Sequence, residues 1–296
     1  MKLSLWVKAS RLPAQTFIIP ALLLGQALLF YQMEQFDLIR LIWIQIYGLL
    51  MHFFIVYAND VADFDTDKLN HTYTPFTGGS RVLIEGGLSK TSLKKAANLF
   101  AALTLLMGGL LSLINANIWI IIFVAIGMLI MHAYSFKPIK LSYRGFGETL
   151  QMIGVGLILP LVGFLSQGGA LNLFPWLIAI VFLPSQLAMA MSTSMPDEPS
   201  DRLSKKQTST VLLGVKTSQY VMISLYAISV FLLLLISKVS IPLLWLISLF
   251  ALILIQFLLV TFKNPKPGNP FMMILVSLSI LTNTLLVLGY AILLFQ

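Results

Sequence analysis

The sequence predicts an all-α membrane protein, a bundle of about nine transmembrane helices with an active site on its cytoplasmic face. Three observations carry this. The chain is 58% hydrophobic and only 10% charged, with a mean hydropathy of +0.92, far from the composition of soluble domains. Apolar runs near 20 residues recur along almost all of its 296 residues, each long enough to cross a ~30 Å hydrocarbon core. The charged residues cluster in the joins between those runs.

The spans are expected at about 14–31, 38–58, 96–114, 118–134, 148–166, 174–193, 217–236, 240–261 and 271–294. The first follows Lys2, Lys8 and Arg11, a pattern that imitates a signal peptide. It reads instead as a transmembrane helix, because the run is long and no small-residue cleavage site follows it. The longest polar stretch, roughly 60–95, is too short and too loop-like for a core of its own. A single transmembrane domain over 1–296 is therefore expected. With no Cys in the chain, disulfides, thiolate metal sites and a Cys nucleophile are excluded.

Counting Lys and Arg by side sets the orientation. Of the 19, 17 lie before the first span or in the polar joins near 59–95, 135–147, 194–216 and 262–270, leaving Arg40 and Lys238 opposite. The positive-inside rule then puts the N-terminus and all four polar joins in the cytoplasm and the C-terminus outside, in a multi-pass protein of the inner (cytoplasmic) membrane. The same rule accounts for the +8 net charge, so no nucleic-acid partner is expected. The sequence is silent on oligomeric state.

The stretch Asn59-Asp60-Val61-Ala62-Asp63-Phe64-Asp65-Thr66-Asp67 holds four of the 11 acidic residues. On a helix Asn59, Asp63 and Asp67 form one polar stripe, with Asp60 and Asp65 off it. Stacked carboxylates repel unless a cation lies between them, and hard oxygen donors suit Mg²⁺, which takes one or two carboxylates plus substrate phosphates. A solvated acidic cap is the plainer reading of this stretch alone. A second acidic segment, Pro196-Asp197-Glu198-Pro199-Ser200-Asp201-Arg202, repeats the four-residue spacing at Asp197 and Asp201. Pro199 argues against a regular helix through it.

Each acidic segment is followed by basic or glycine-rich chain: Thr77-Gly78-Gly79-Ser80-Arg81-Val82-Leu83 after the first, Arg202 to Lys206 after the second. Glycine lets backbone N–H groups approach a phosphate and Arg supplies forked donors, although Gly-Gly pairs are most often plain turns. The join from Tyr134 and Ser135 through Lys137, Lys140 and Arg144 to Glu148 adds three cations that topology alone also explains. Carboxylates for metal, cations for phosphate and a greasy bundle beneath suit an isoprenoid diphosphate, whose head stays at the interface while its tail enters the bundle.

These residues resemble the UbiA-type superfamily of intramembrane aromatic prenyltransferases. Its signatures are N-D-x-x-D-x-x-x-D after the second span, here Asn59, Asp60, Asp63 and Asp67, and D-x-x-x-D after the sixth, here Asp197 and Asp201. Thr77 to Leu83 and Tyr143-Arg144-Gly145-Phe146-Gly147-Glu148 look most like the 1,4-dihydroxy-2-naphthoate polyprenyltransferases of menaquinone synthesis. The resemblance implies Mg²⁺ held by Asp63 and Asp67 on one side and Asp197 and Asp201 on the other, with Asn59 assisting. It implies Arg81, Lys140 and Arg144 near the diphosphate, with Tyr134, Ser135 and Lys206 beside it. Three departures stand out: Ser194 where the family commonly has Asn, Pro199, and Lys205-Lys206 in place of Gly-Lys.

The implied reaction is electrophilic aromatic prenylation, with a polyprenyl diphosphate and an aromatic acceptor as substrates in the lipid bilayer. Naphthoate is the expected acceptor; hydroxybenzoate, homogentisate-like rings and other aromatics stay open. The proton-accepting base is not legible, and His52 and His132 read as structural. An ion-coupled transporter is the rival class, but the span centres lack the ionisable residues carriers use. A CDP-alcohol phosphotransferase would need an Asp-Gly-x-x-Ala-Arg pattern that is absent.

Overall fold

The computed structural model describes residues 2–296 and leaves Met1 outside. Among the described residues there are no strands, and nine helices or helix runs are long and apolar enough to cross a membrane. In chain order the helices are α1 (Lys2–Ala9), α2 (Gln15–Met33), α3 (Leu38–Ala62), α4 (Phe64–Lys68), α5 (Lys90–Ile114), α6 (Ile118–Ser135), α7 (Gly147–Ile153) and α8 (Leu159–Ser166). They continue as α9 (Trp176–Ser194), α10 (Glu198–Leu203), α11 (Ser209–Leu213), α12 (Val215–Ile236), α13 (Leu243–Lys263) and α14 (Pro270–Leu293). A π-helical turn over Gly154–Ile158 joins α7 to α8 into one span.

All nine expected spans are present, and the corrections fall at their polar ends. The fifth helix begins at Lys90 rather than near 96, because the Ser89 side chain accepts from the Ser92 N–H at 3.1 Å and caps a hydrophilic first turn. The third runs to Ala62, past the apolar run and into the acidic stretch. Helix α1 was not expected at all.

Packing follows membrane rules, in which small residues let backbones approach. Helix α2 lies against α8, α3 against α5, and α9 against α12. A Cβ on Gly25 would overlap the Pro160 carbonyl, and one on Gly163 would overlap that of Leu22, so α2 and α8 meet backbone to backbone. Polar side chains inside the bundle pair across helices: Gln256 Nε2 donates to Thr282 Oγ1 at 2.8 Å, and Tyr226 and Ser279 share a 2.7 Å hydroxyl contact.

The joins sort by end. Gln167 Nε2 donates to the Asp37 carbonyl, Arg40 to the Gln167 carbonyl, and Asn117 Nδ2 to that of Gly169. Phe295 packs on Phe30 and Phe36 at the same end. At the other end Asn70 reaches Asp197, Lys206 and Tyr143 reach Asp63, and Gln219 donates to the Pro265 carbonyl. All four polar joins therefore gather at one end of the bundle.

Candidate active site

The first acidic segment keeps its stripe. A bend at Asp63 separates α3 from α4, yet the four-residue ladder runs through it: Asp63 N donates to Asn59 O and Asp67 N to Asp63 O, both at 2.8 Å. Asn59, Asp63 and Asp67 line one cavity of ≈ 250 Å³. The residues off the stripe do other things. Asp65 is exposed. Asp60 is buried, accepts from the Ser80 N–H and hydroxyl, and lies 3.5 Å from Arg11 Nη1. It ties the glycine loop down. Gly79, at φ +71°, sits where a Cβ would overlap the Asp67 carboxylate.

The second segment differs from expectation in form. The chain passes from α9 through a 3-10 turn, Met195–Asp197, into α10, with Pro196 and Pro199 near the starts of these helical pieces. There a missing N–H costs nothing. The segment thus stays helical, and both Asp197 and Asp201 line the same cavity. Asp197 is held from the join after the first segment: Asn70 Nδ2 donates to its Oδ1 at 2.7 Å and Gly78 N to its Oδ2 at 3.1 Å.

Lys206 joins the two clusters. Its Nζ is 3.1 Å from Asp63 Oδ2 and 3.8 Å from Asp201 Oδ1. Burial alone would lower this ammonium, but the carboxylates of Asp63 and Asp201 outweigh it and hold the lysine well above its usual range. The carboxylates still outnumber it. Burial, with Asp63, Asp197 and Asp60 nearby, pushes Asp67 up to about 8. Burial and Asp63 push Tyr143 up to about 12; its hydroxyl donates to Asp63 Oδ1 at 3.3 Å and lies 2.5 Å from Thr66 Oγ1.

Of the remaining expected residues, Tyr134 lines the cavity, whereas the structure does not bring Arg81, Lys140, Arg144 or Ser135 to its wall. Arg81 donates to the carbonyls of Asp67 and Asn70 and stacks on Tyr73 at 4.4 Å. It braces the loop from behind. Lys140 sits 3.4 Å from the centre of the Tyr143 ring, and burial lowers its pKa. Arg144 is exposed and donates to the Pro138 carbonyl at 2.9 Å. Ser135 is buried, its hydroxyl against Met131 Sδ. His52 lines the cavity with its Nε2 committed to the Ser10 carbonyl at 2.6 Å, and His132 is exposed.

Arg11 and Glu148 also line the cavity; pattern reading misses Arg11 and Asn70 as site residues, and it quotes Tyr143 and Glu148 only as the ends of a family-like stretch, with no role. Arg11 enters the sequence reading only through the topology count. The partners of Asn70 and Tyr143 lie 127 and 80 positions away, so no local signal marks them.

The donor set fits a hard divalent cation. Five carboxylates (Asp63, Asp67, Glu148, Asp197 and Asp201) and the amides of Asn59 and Gln151 line a wall that carries no thiolate and whose His52 Nε2 is already bonded. Lys206 balances only part of their charge. Among the described residues no three His, Cys, Asp or Glu side chains stand close enough to hold an ion by themselves, so a bound cation would need further ligands such as substrate phosphates.

The family model described as the UbiA prenyltransferase family matches residues 17–281. A curated relative, "1,4-dihydroxy-2-naphthoate octaprenyltransferase" of Bacillus subtilis (strain 168), is 26% identical over 151 residues, 51% of this chain. The match spans about half of that relative, 48% of its length. Among solved structures, the apo form of a UbiA homolog from Aeropyrum pernix K1 aligns at a TM-score of 0.71 with 18% identity, covering 95% of this chain and 97% of that one. A UbiA homolog from Archaeoglobus fulgidus, bound to DMAPP and Mg²⁺, aligns at 0.69 with 17% identity, covering 97% and 99%. At these identities the likeness shows the fold.

Proposed function

The chain belongs to the UbiA prenyltransferase family, and from that premise we propose that it transfers a polyprenyl group from an isoprenoid diphosphate to an aromatic acceptor, 1,4-dihydroxy-2-naphthoate, in menaquinone synthesis. The observation that carries the reading is the meeting of two acidic segments across one cavity, with Lys206 between Asp63 and Asp201. The half-length match to a naphthoate octaprenyltransferase supports the acceptor.

In this reading Asp63, Asp67, Asp197 and Asp201, with Asn59, hold Mg²⁺. With Mg²⁺ bound, the charge that builds on the diphosphate as the allylic C–O bond breaks is neutralised. Lys206 and Arg11 add donors from the protein, and Tyr134 borders the same head region. Tyr143 holds Asp63, and Asn70 holds Asp197, so both carboxylates are oriented before substrate arrives. Below them Met51, Ile55, Val155 and Ile158 offer a dry wall for the tail and for the allylic cation. The positive-inside count puts this end in the cytoplasm.

The test is incubation of purified protein with Mg²⁺, a polyprenyl diphosphate and a panel of aromatic acids. Acceptor-dependent diphosphate release, greatest with the naphthoate, is expected; no release with any acceptor sinks the proposal. Asp63→Ala and Asp197→Ala should abolish turnover in folded protein, whereas Asp65→Asn, on an exposed side chain, should leave it unchanged.

A further inference from the structure

Glu148 is the fifth acidic residue on the cavity wall and belongs to neither acidic cluster. It lies in the first turn of α7, 6% exposed, and among the described residues it makes no ion pair. Its protein donors converge on one oxygen: Ser194 Oγ at 3.2 Å, Ser209 N at 2.9 Å and Ser209 Oγ at 2.7 Å all donate to Oε1. Oε2 receives no donor from any described residue.

Oε2 is not sealed in the protein interior: it opens on the cavity that Glu148 lines and is free to accept from a ligand. Tying α7, α9 and α11 together needs only an acceptor at Oε1, which an amide would supply as well as an acid. The structural tie therefore accounts for one oxygen and leaves the other unused. Its level in the cavity is also particular. Asp197 follows its partner Ser194 by three residues, while beyond Gln151 the same wall continues as Gly154, Val155 and Ile158. Glu148 thus stands between the acidic head and the apolar lining, on the path a diphosphate ester would follow from one to the other.

We propose that Glu148 Oε2 accepts the hydrogen bond of a phenolic hydroxyl on the aromatic acceptor and takes its proton during transfer. The proposal rests on the prenyltransferase reading above. As the ring carbon bonds to the prenyl C1, the C1–O bond breaks and its electron pair leaves with the diphosphate. The O–H proton passes to Oε2 and the ring becomes a neutral dienone. In an acceptor carboxylated at the attacked carbon, that dienone is a β-keto carboxylate. It loses CO₂, and the oxygen takes the proton back from Glu148. In an acceptor with hydrogen at that carbon, the ring proton leaves to water and the oxygen is reprotonated by Glu148. In both cases the carboxylate is regenerated.

The experiment uses the full-length protein with Mg²⁺, polyprenyl diphosphate, 1,4-dihydroxy-2-naphthoate and its two mono-O-methyl ethers. Glu148→Gln keeps an acceptor for all three donors but puts an amide nitrogen at the Oε2 position. Transfer should fall about 100-fold or more, as for a lost general base, with melting temperature and the KM for diphosphate unchanged. In wild-type protein one ether should be a poor acceptor beside the parent phenol, and Glu148→Gln should erase that preference. The proposal is overturned if Glu148→Gln transfers like wild type. It is equally overturned if the variant loses stability and diphosphate binding together with transfer, or if both ethers match the phenol in wild-type protein. Wild-type protein that prenylates no acceptor would overturn the transferase reading instead.

Discussion

Lys206 Nζ lies 3.1 Å from Asp63 Oδ2, joining residues 143 positions apart. The contact closes the bundle's polar end. It draws the chain after α10 onto the end of α3, and through Asp201 it links the two acidic segments with one cation. Because the ammonium stands among carboxylates suited to a metal, the fold provides an internal counter-charge that holds the site together before an ion or diphosphate enters.

Replacing that cation should expose the dependence. In Lys206→Met, Asp63 and Asp201 remain buried without their partner, a change of the kind that costs about 3–5 kcal/mol. Melting in EDTA should drop sharply, and Mg²⁺ should restore the variant by a larger margin than it raises wild type. Equal Mg²⁺ shifts in the two proteins would refute the shared role of lysine and metal.

Asp67 predicts a pH dependence in metal-free protein. Its folded pKa, pushed up to about 8, lies above the unfolded value near 3.9. Between those values the folded state holds the extra proton, so stability falls as pH rises through the window and levels off above it. Melting temperatures in EDTA should decline from pH 5 to 8. Asp67→Asn should flatten that slope, and Mg²⁺ binding should strengthen as pH approaches 8. A slope unchanged in the Asn variant would show that Asp67 is not its source.

The spans and the acidic stripe were legible because both are local patterns: apolar runs of membrane length, and oxygen donors four residues apart. What escaped was set by backbone geometry and distant partners. Arg81 looked like a phosphate donor, but at φ +67° its guanidinium turns back on the carbonyls of Asp67 and Asn70. The loop N–H groups of Gly78 and Ser80, expected for phosphate, are taken by Asp197 and Asp60. Glu148 closes a stretch that resembles the family, but its place in the site is not legible there, because its donors come from α9 and the start of α11.

The α2–α8 contact yields a stability prediction independent of function. Gly25 has no room for a methyl against the Pro160 carbonyl, whereas Gly109 has open space. Gly25→Ala should force the two backbones apart and cost about 1–3 kcal/mol, as overpacking does. Gly109→Ala should be neutral or slightly stabilising, given the helix preference of Ala over Gly. Melting in mild detergent measures both, and equal effects would contradict the backbone contact.

Tyr47 is the deepest α3 residue on the cavity wall, with Ile18 of α2 and Gly127 of α6 also lining the apolar part. It lies about 24 Å below Asp63 along the helix, by the rise per residue. It is fully buried, and its hydroxyl has no hydrogen-bond partner among the described residues, so the ring's bulk rather than a polar contact closes the cavity. If a prenyl tail runs from the acidic head down this wall, that ring limits its length. Tyr47→Ala should extend the range of diphosphates accepted toward longer tails, and Gly127→Val, adding methyls toward Met51 and Ile158, should shorten it. Tyr47→Phe should leave the range unchanged, since it removes only the unpaired hydroxyl. The measurement is relative kcat/KM across a ladder of prenyl diphosphates. A cut-off that stays fixed in the Ala and Val variants would mean that the tail leaves between helices into the bilayer and never reaches Tyr47.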